Sequence, residues 1–261
     1  MTMRHIESKE GLGEFVGDPN GDKAKLAITL IEGARKWRET FGDISLPSVT
    51  ASVEVKPFSP EAVTNYWRTK LQADGKRIGL SISVPDCSWT EAEIRKPMVD
   101  VKGNEVPSML VYVPQELMGK EGLVRLGQMY PKMNNWSVQE DTSVQNSPDA
   151  NKKGGWVKVE AIVDAPNLNT TQEDLEQHAK DKKYFAQTLN TFILASQANK
   201  DLTGRYLDEG STWSRLLGSR RASGVVHADF GSGGYLFVGW GLGPQGHGSG
   251  IGGRFEEVKK A

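Results

Sequence analysis

The stretch Val225-Val226-His227-Ala228-Asp229-Phe230-Gly231-Ser232-Gly233-Gly234-Tyr235-Leu236-Phe237-Val238-Gly239-Trp240-Gly241-Leu242 decides how the last part of the chain folds. Taken in steps of two, Val226, Ala228, Phe230, Leu236, Val238, Trp240 and Leu242 form an apolar set, interrupted only at Ser232 and Gly234. The interleaved set is Val225, His227, Asp229, Gly231, Gly233, Tyr235, Phe237, Gly239 and Gly241, and it has no common chemical character. Successive strand side chains point to opposite faces, so the spacing predicts a β-hairpin turning at Ser232-Gly233-Gly234, one face inward and one outward. Burying Leu236, Val238, Trp240 and Leu242 contributes about 1.5–3 kcal/mol per large side chain, enough to fix the register whatever the other face carries. Trp240→Ala is then a core truncation costing roughly 3–5 kcal/mol. The outer residues are freed from folding duty. Glycine weakens a strand, and exposed Tyr235 and Phe237 are costly for solubility unless they meet a partner.

Around this hairpin the composition is distinctive. Residues 224–253 hold twelve of the 29 glycines. Each costs about 1 kcal/mol in a helix interior, so everything after Gly210 is expected as strand and loop. Upstream the order is mixed. Ala27, Ile31, Ala34, Trp37 and Phe41 recur at helical spacing and predict a helix over 23–41. Ser59-Pro60-Glu61 opens a second helix running to about Ala73, with Val63, Trp67 and Leu71 buried. Alternation predicts strands over 49–55, 78–84, 108–113 and 156–163, an irregular helix over 115–130, and a polar connector over 134–155. Thr170 and Glu173 read as a capping box opening one long helix to about Asn199, burying Leu175, Ala179, Ala186, Leu189 and Ile193.

The whole chain has 261 residues, 37% of them hydrophobic, which is enough for a substantial core. With 32 basic and 33 acidic side chains there is no global field to hold polyphosphate, so nucleic acid is not an expected partner. The single Cys87 forms no internal disulfide. No apolar run approaches a membrane span, and Met1-Thr2-Met3-Arg4-His5 has no apolar segment behind its positive charge, so the expectation is no signal peptide and cytoplasmic residence by default.

The run Thr212-Trp213-Ser214-Arg215-Leu216-Leu217-Gly218-Ser219-Arg220, the hairpin, Gly243-Pro244-Gln245 and Gly252-Gly253-Arg254-Phe255 resemble the C-terminal variable region of C-type-lectin-fold variable proteins of diversity-generating retroelements. In that family adenine-directed mutagenesis turns selected Asn codons into many residue types, but not Lys, Glu, Gln, Met or Trp. None of those five occurs in the interleaved set, nor in Ala222, Ser223 or the run Gly246-His247-Gly248-Ser249-Gly250. The resemblance covers about the last fifty residues, with the variable region at 212–255. It implies an α+β, C-type lectin-like fold, with long supporting helices, short antiparallel strands and a loop-rich C-terminal half. One unit is expected, with residues 1–75 as an N-terminal portion and 76–261 as the lectin-like portion. The implied binding residues are Ala222, Ser223, Val225, His227, Asp229, Gly231, Gly233, Tyr235, Phe237, Gly239, Gly241, Gly246, His247, Gly248, Ser249 and Gly250, facing a protein or cell-surface ligand. Trp213, Phe230, Trp240 and Arg254 are implied as scaffold.

Competing readings are weaker. Gly241-Leu242-Gly243-Pro244-Gln245-Gly246 has dinucleotide-motif spacing, but Pro244 and the following glycines forbid the helix that the pyrophosphate needs. His227, Asp229 and His247 lack a firm third metal ligand, so neither metal nor cofactor is expected. His178 reads as a surface or boundary side chain. Cys87 reads as a small, partly buried hydrophobe. Arg215, Arg220 and Arg221 read as a solvated basic cluster without an interleaved aromatic. Formylglycine-generating oxidases share the implied architecture but use a cysteine pair, so no enzyme is expected. The signatures Glu-Pro-Asn, Gln-Pro-Asp and Trp-Asn-Asp of calcium-dependent lectins are missing. A non-catalytic structural or interaction module, or calcium-independent carbohydrate binding, is the alternative.

Overall fold

Ser59 starts the first described helix as its sequence demands: its Oγ accepts from the Ala62 N–H at 3.1 Å, and Pro60 takes the first helical position. The computed structural model describes residues 59–133, 144–148, 150–151 and 153–259. The helix expected over 23–41, the strand over 49–55 and part of the connector lie outside them. Backbone contacts divide the chain between Glu54 and Val55, and all described residues fall in the second unit. Helix α1 (Pro60–Lys76) therefore lies in the unit Val55–Ala261. It buries Trp67 and Leu71, and the Trp67 indole donates to the Leu110 carbonyl at 2.9 Å.

After α1 the chain folds back, with the Leu80 N–H donating to the Gly75 carbonyl. Ile82 and Val84 alternate inward as read, yet residues 78–84 form no strand. Alternating burial needs only an extended chain, whereas a strand needs a ladder partner. Short elements follow: α2 (Glu91–Arg95), β1 (Met98–Val99) and β2 (Glu105–Val106). Strand β3 (Ser108–Val113) lies where alternation placed it. The irregular helix resolves into a 3-10 turn at Gln115–Leu117 and α3 (Gly119–Met129). Strands β4 (Val144–Asn146) and β5 (Gly155–Glu160) come next.

The single helix expected over 170–199 is two. Thr171, not Thr170, caps α4 (Gln172–Lys182), and Asp174 closes the box. Lys183 turns left-handed at φ 61°, β6 (Phe185–Ala186) intervenes, and Thr188 caps α5 (Leu189–Thr203). A second capping threonine inside the apolar period was the signal missed. The tail is strand and loop: β7 (Trp213–Arg221), β8 (Gly224–Phe230), β9 (Leu236–Gly239), β10 (Ile251–Gly253) and β11 (Phe255–Val258). The class is α+β.

One sheet runs β10-β7-β8-β9, with β4 also pairing β7, and a second runs β3-β5-β11-β6. All pairings are antiparallel except β10 with β7. Phe230, Val226, Leu236 and Val238 join Trp67, Val111, Val157, Phe192 and Ile193 in the main core. A smaller core gathers Met98, Leu175, Leu217, Val225 and Phe255. No described helix is long and apolar enough to cross a membrane.

Arg254 sits at the crossing from β10 to β11, so it ties the two sheets together. Its Nη2 lies 2.9 Å from Asp208 Oδ1, with both side chains fully buried. It also donates to Ser214 Oγ and to the carbonyls of Ile162, Val163 and Asp164. Removing one partner of such a pair leaves an uncompensated buried charge, so Arg254→Met should cost about 3–5 kcal/mol in denaturant unfolding. Burial also carries the carboxyls of Glu160 and Glu256 up to about 7 from the ordinary 4.5. Their folded pKa lies above the unfolded one, so the stability they contribute is complete below 4.5 and lost as pH rises through 7. The melting temperature should fall from about pH 5 to about pH 8, and less steeply in Glu256→Gln.

Candidate functional site

The β8–β9 hairpin builds the site. Register places Asp229 opposite Phe237 and His227 opposite Gly239, while Ala228 faces Val238 and Phe230 faces Leu236. Directly paired residues share a face, so the inner row is Val226, Ala228, Phe230, Leu236 and Val238, all buried. On the other side Tyr235 is 55% and Phe237 47% exposed. The turn closes where predicted, with the Gly234 N–H donating to the Gly231 carbonyl and Gly234 at φ 86°.

The outer glycines are not empty positions. A Cβ on Gly231 would lie 3.4 Å from the Phe237 ring, one on Gly233 would lie 2.9 Å from the Tyr235 ring, and one on Gly239 would overlap the His227 imidazole. Each aromatic ring on this face leans over a neighbouring glycine, which covers backbone that a glycine strand otherwise exposes.

The same face continues across the sheet through Gly239, His227, Arg215 and Gly253. His227 packs on Trp213 with ring centres 4.2 Å apart. Burial, then the Arg215 charge, pull its pKa down to about 4, so the imidazole is neutral at pH 7, and its buried Nδ1 has no hydrogen-bond partner among the described residues. Asp229 is half-buried; burial and the nearby Asp208 raise it to about 6. Arg215 is buried and donates to the carbonyls of Gly243 and Gly246, holding the 243–250 loop against the sheet. Within that loop His247 Nδ1 lies 2.9 Å from Asn169 Oδ1, and the Gly250 carbonyl accepts from the Trp213 N–H.

The sixteen residues implied as binding positions are thus not one patch. Asp229, Gly231, Gly233, Tyr235 and Phe237 cluster at the hairpin tip, and His227, Gly239 and Gly241 link toward the loop bearing Gly246, His247, Gly248, Ser249 and Gly250. Ala222 and Ser223 form the turn at the opposite end of β8, with Ala222 at φ 50°. Val225 is excluded: it is 3% exposed and packs with Leu175 and Leu217 in the smaller core. It lies on the outer side, as its parity requires, but a bulge in β7 between Leu216 and Arg220 marks where that side becomes roofed.

Four further expectations change. Trp240 and Leu242 are only half-buried and lie outside the core. The Arg221 guanidinium stands 3.6 Å above the Trp240 ring, so the arginines do have an aromatic partner. Trp240→Ala should accordingly cost about 1–2 kcal/mol, below a core truncation. Arg215 is buried rather than solvated, and His178 is buried, with Nε2 2.8 Å from the Val99 carbonyl oxygen. Cys87 is half-buried, and burial pushes its thiol pKa up. Among the described residues no cluster of three His, Cys, Asp or Glu is placed to hold a metal.

The contact between His227 and position 239 generates a test. Gly239→Ala should destabilise by about 1–3 kcal/mol through overpacking. In the His227→Ala background most of that cost should vanish, leaving a coupling above about 0.5 kcal/mol in a denaturation double-mutant cycle.

No family model matches this chain, and no similar curated protein or solved structure is found.

Proposed function

We propose that the chain is a non-enzymatic recognition protein, a C-type lectin-like scaffold whose outward hairpin face and 246–250 loop are diversified by a retroelement. The observation that supports this best is the separation of duties on one hairpin: buried even-numbered residues hold it, while exposed Tyr235 and Phe237 stand beside the half-buried carboxylate of Asp229. Tyrosine and phenylalanine give large contact area at low entropy cost, and small neighbours leave room for a partner. The outer residues also avoid Lys and Glu, the usual solvent-facing and edge-protecting choices. A protein or cell-surface molecule is the ligand class that suits so open a face.

The flanking DNA tests the reading directly. A neighbouring reverse-transcriptase gene and a near-copy of the C-terminal coding segment, differing only at adenines, are the expected finding; the lack of both overturns it. At the protein level, Tyr235→Ala and Phe237→Ala should each change folding stability by less than about 1 kcal/mol while weakening ligand binding by about 1–4 kcal/mol. Unfolding in step with lost binding would remove these two from the recognition role.

A further inference from the structure

We infer that a basic cleft between the end of α4, the end of β11 and the α2 segment binds a small molecule carrying a multiply charged oxyanion. The cleft measures about 360 Å³ and shares no residue with the hairpin face. Lys96, Lys158, Lys182, Lys183 and Lys259 line it against only Glu93 and Glu257, an excess of three positive charges.

Two of the lysines are already satisfied. Lys158 Nζ lies 2.8 Å from Glu257 Oε2 and donates to the carbonyls of Glu93 and Lys96. Lys259 Nζ lies 2.8 Å from Glu93 Oε2 and donates to the Ser88 carbonyl. Among the described residues, Lys96, Lys182 and Lys183 have no carboxylate within ion-pair distance. Cations do favour helix C-termini, which accounts for each of these lysines singly. It does not account for the ends of α2 and α4 delivering them to one concavity, where like charges repel.

Trp89 closes one side of the cleft, with Lys158 Nζ 5.3 Å from its ring centre. An oxyanion supplies the missing negative charge. Ammonium groups act on it as point charges without imposing the planar fork of arginine, so phosphate and carboxylate groups share the required chemistry. The volume is that of a small-molecule site, near the lower end of the usual range.

Calorimetric titration of the full chain with pyrophosphate, and separately with citrate, tests this. Saturable binding of one equivalent of either is expected, the tighter of the two naming the anion class. Lys182→Gln with Lys183→Gln should weaken it by at least about tenfold, and Lys96→Gln by at least about threefold. These exposed changes should leave the melting temperature alone, and Tyr235→Ala should leave anion affinity alone. Two flat titrations, equal affinity in all variants, or several equivalents bound per chain with affinity growing along a polyphosphate series would overturn the site in favour of diffuse surface attraction.

Discussion

The buried pair of Arg254 and Asp208 is the constraint on which the rest depends. β10 belongs to one sheet and β11 to the other, and a single residue separates them. At that residue the chain changes sheets, so the groups nearest the crossing must be satisfied without water. Arg254 does this with a carboxylate, a hydroxyl and a row of carbonyls from the segment after β5. Its five donors in a fixed fork suit such a collection better than a lysine would. The Asp208 carboxylate also accepts from Thr212, so the turn leading into β7 is fixed by the same centre.

From that centre outward, packing on one side of the hairpin releases the other. The Phe230 ring stacks on Tyr206 with centroids 4.8 Å apart and packs against Phe192, which anchors β8 irrespective of what its outer side carries. The outer side then has its own local logic: rings over glycines at the tip, a neutral histidine on Trp213 farther along, and a loop clamped by Arg215. Nothing in this face contributes to the main core, so its residues can change without opening a cavity there.

Much of this was legible in the sequence where one local rule decides the outcome. Ser59 with Pro60 marked α1, and strict alternation marked β3 and the inner row of the hairpin. Legibility failed where distant residues decide. Residues 78–84 alternate but pair with no strand among the described residues. Thr188 starts a new helix because Lys183 turns left-handed first, which periodicity does not reveal. Val225 is covered by Leu175, which lies fifty positions earlier in the chain. The lysines of the basic cleft come from four separate segments, so no motif announces them. Trp240 continued the apolar step, yet β9 ends at Gly239, and beyond it the alternation has no ladder to enforce it.

The bulge in β7 divides the outer side of the sheet in two. On the near side of it the outward surface of the strand meets the 243–250 loop and the hairpin; on the far side it meets α4. The roof over the far side is the Leu175 side chain of α4 on Val225, and the loop on the near side is held by the Arg215 guanidinium. Both come from outside the hairpin tip, so exchanging residues at the tip leaves these two borders in place.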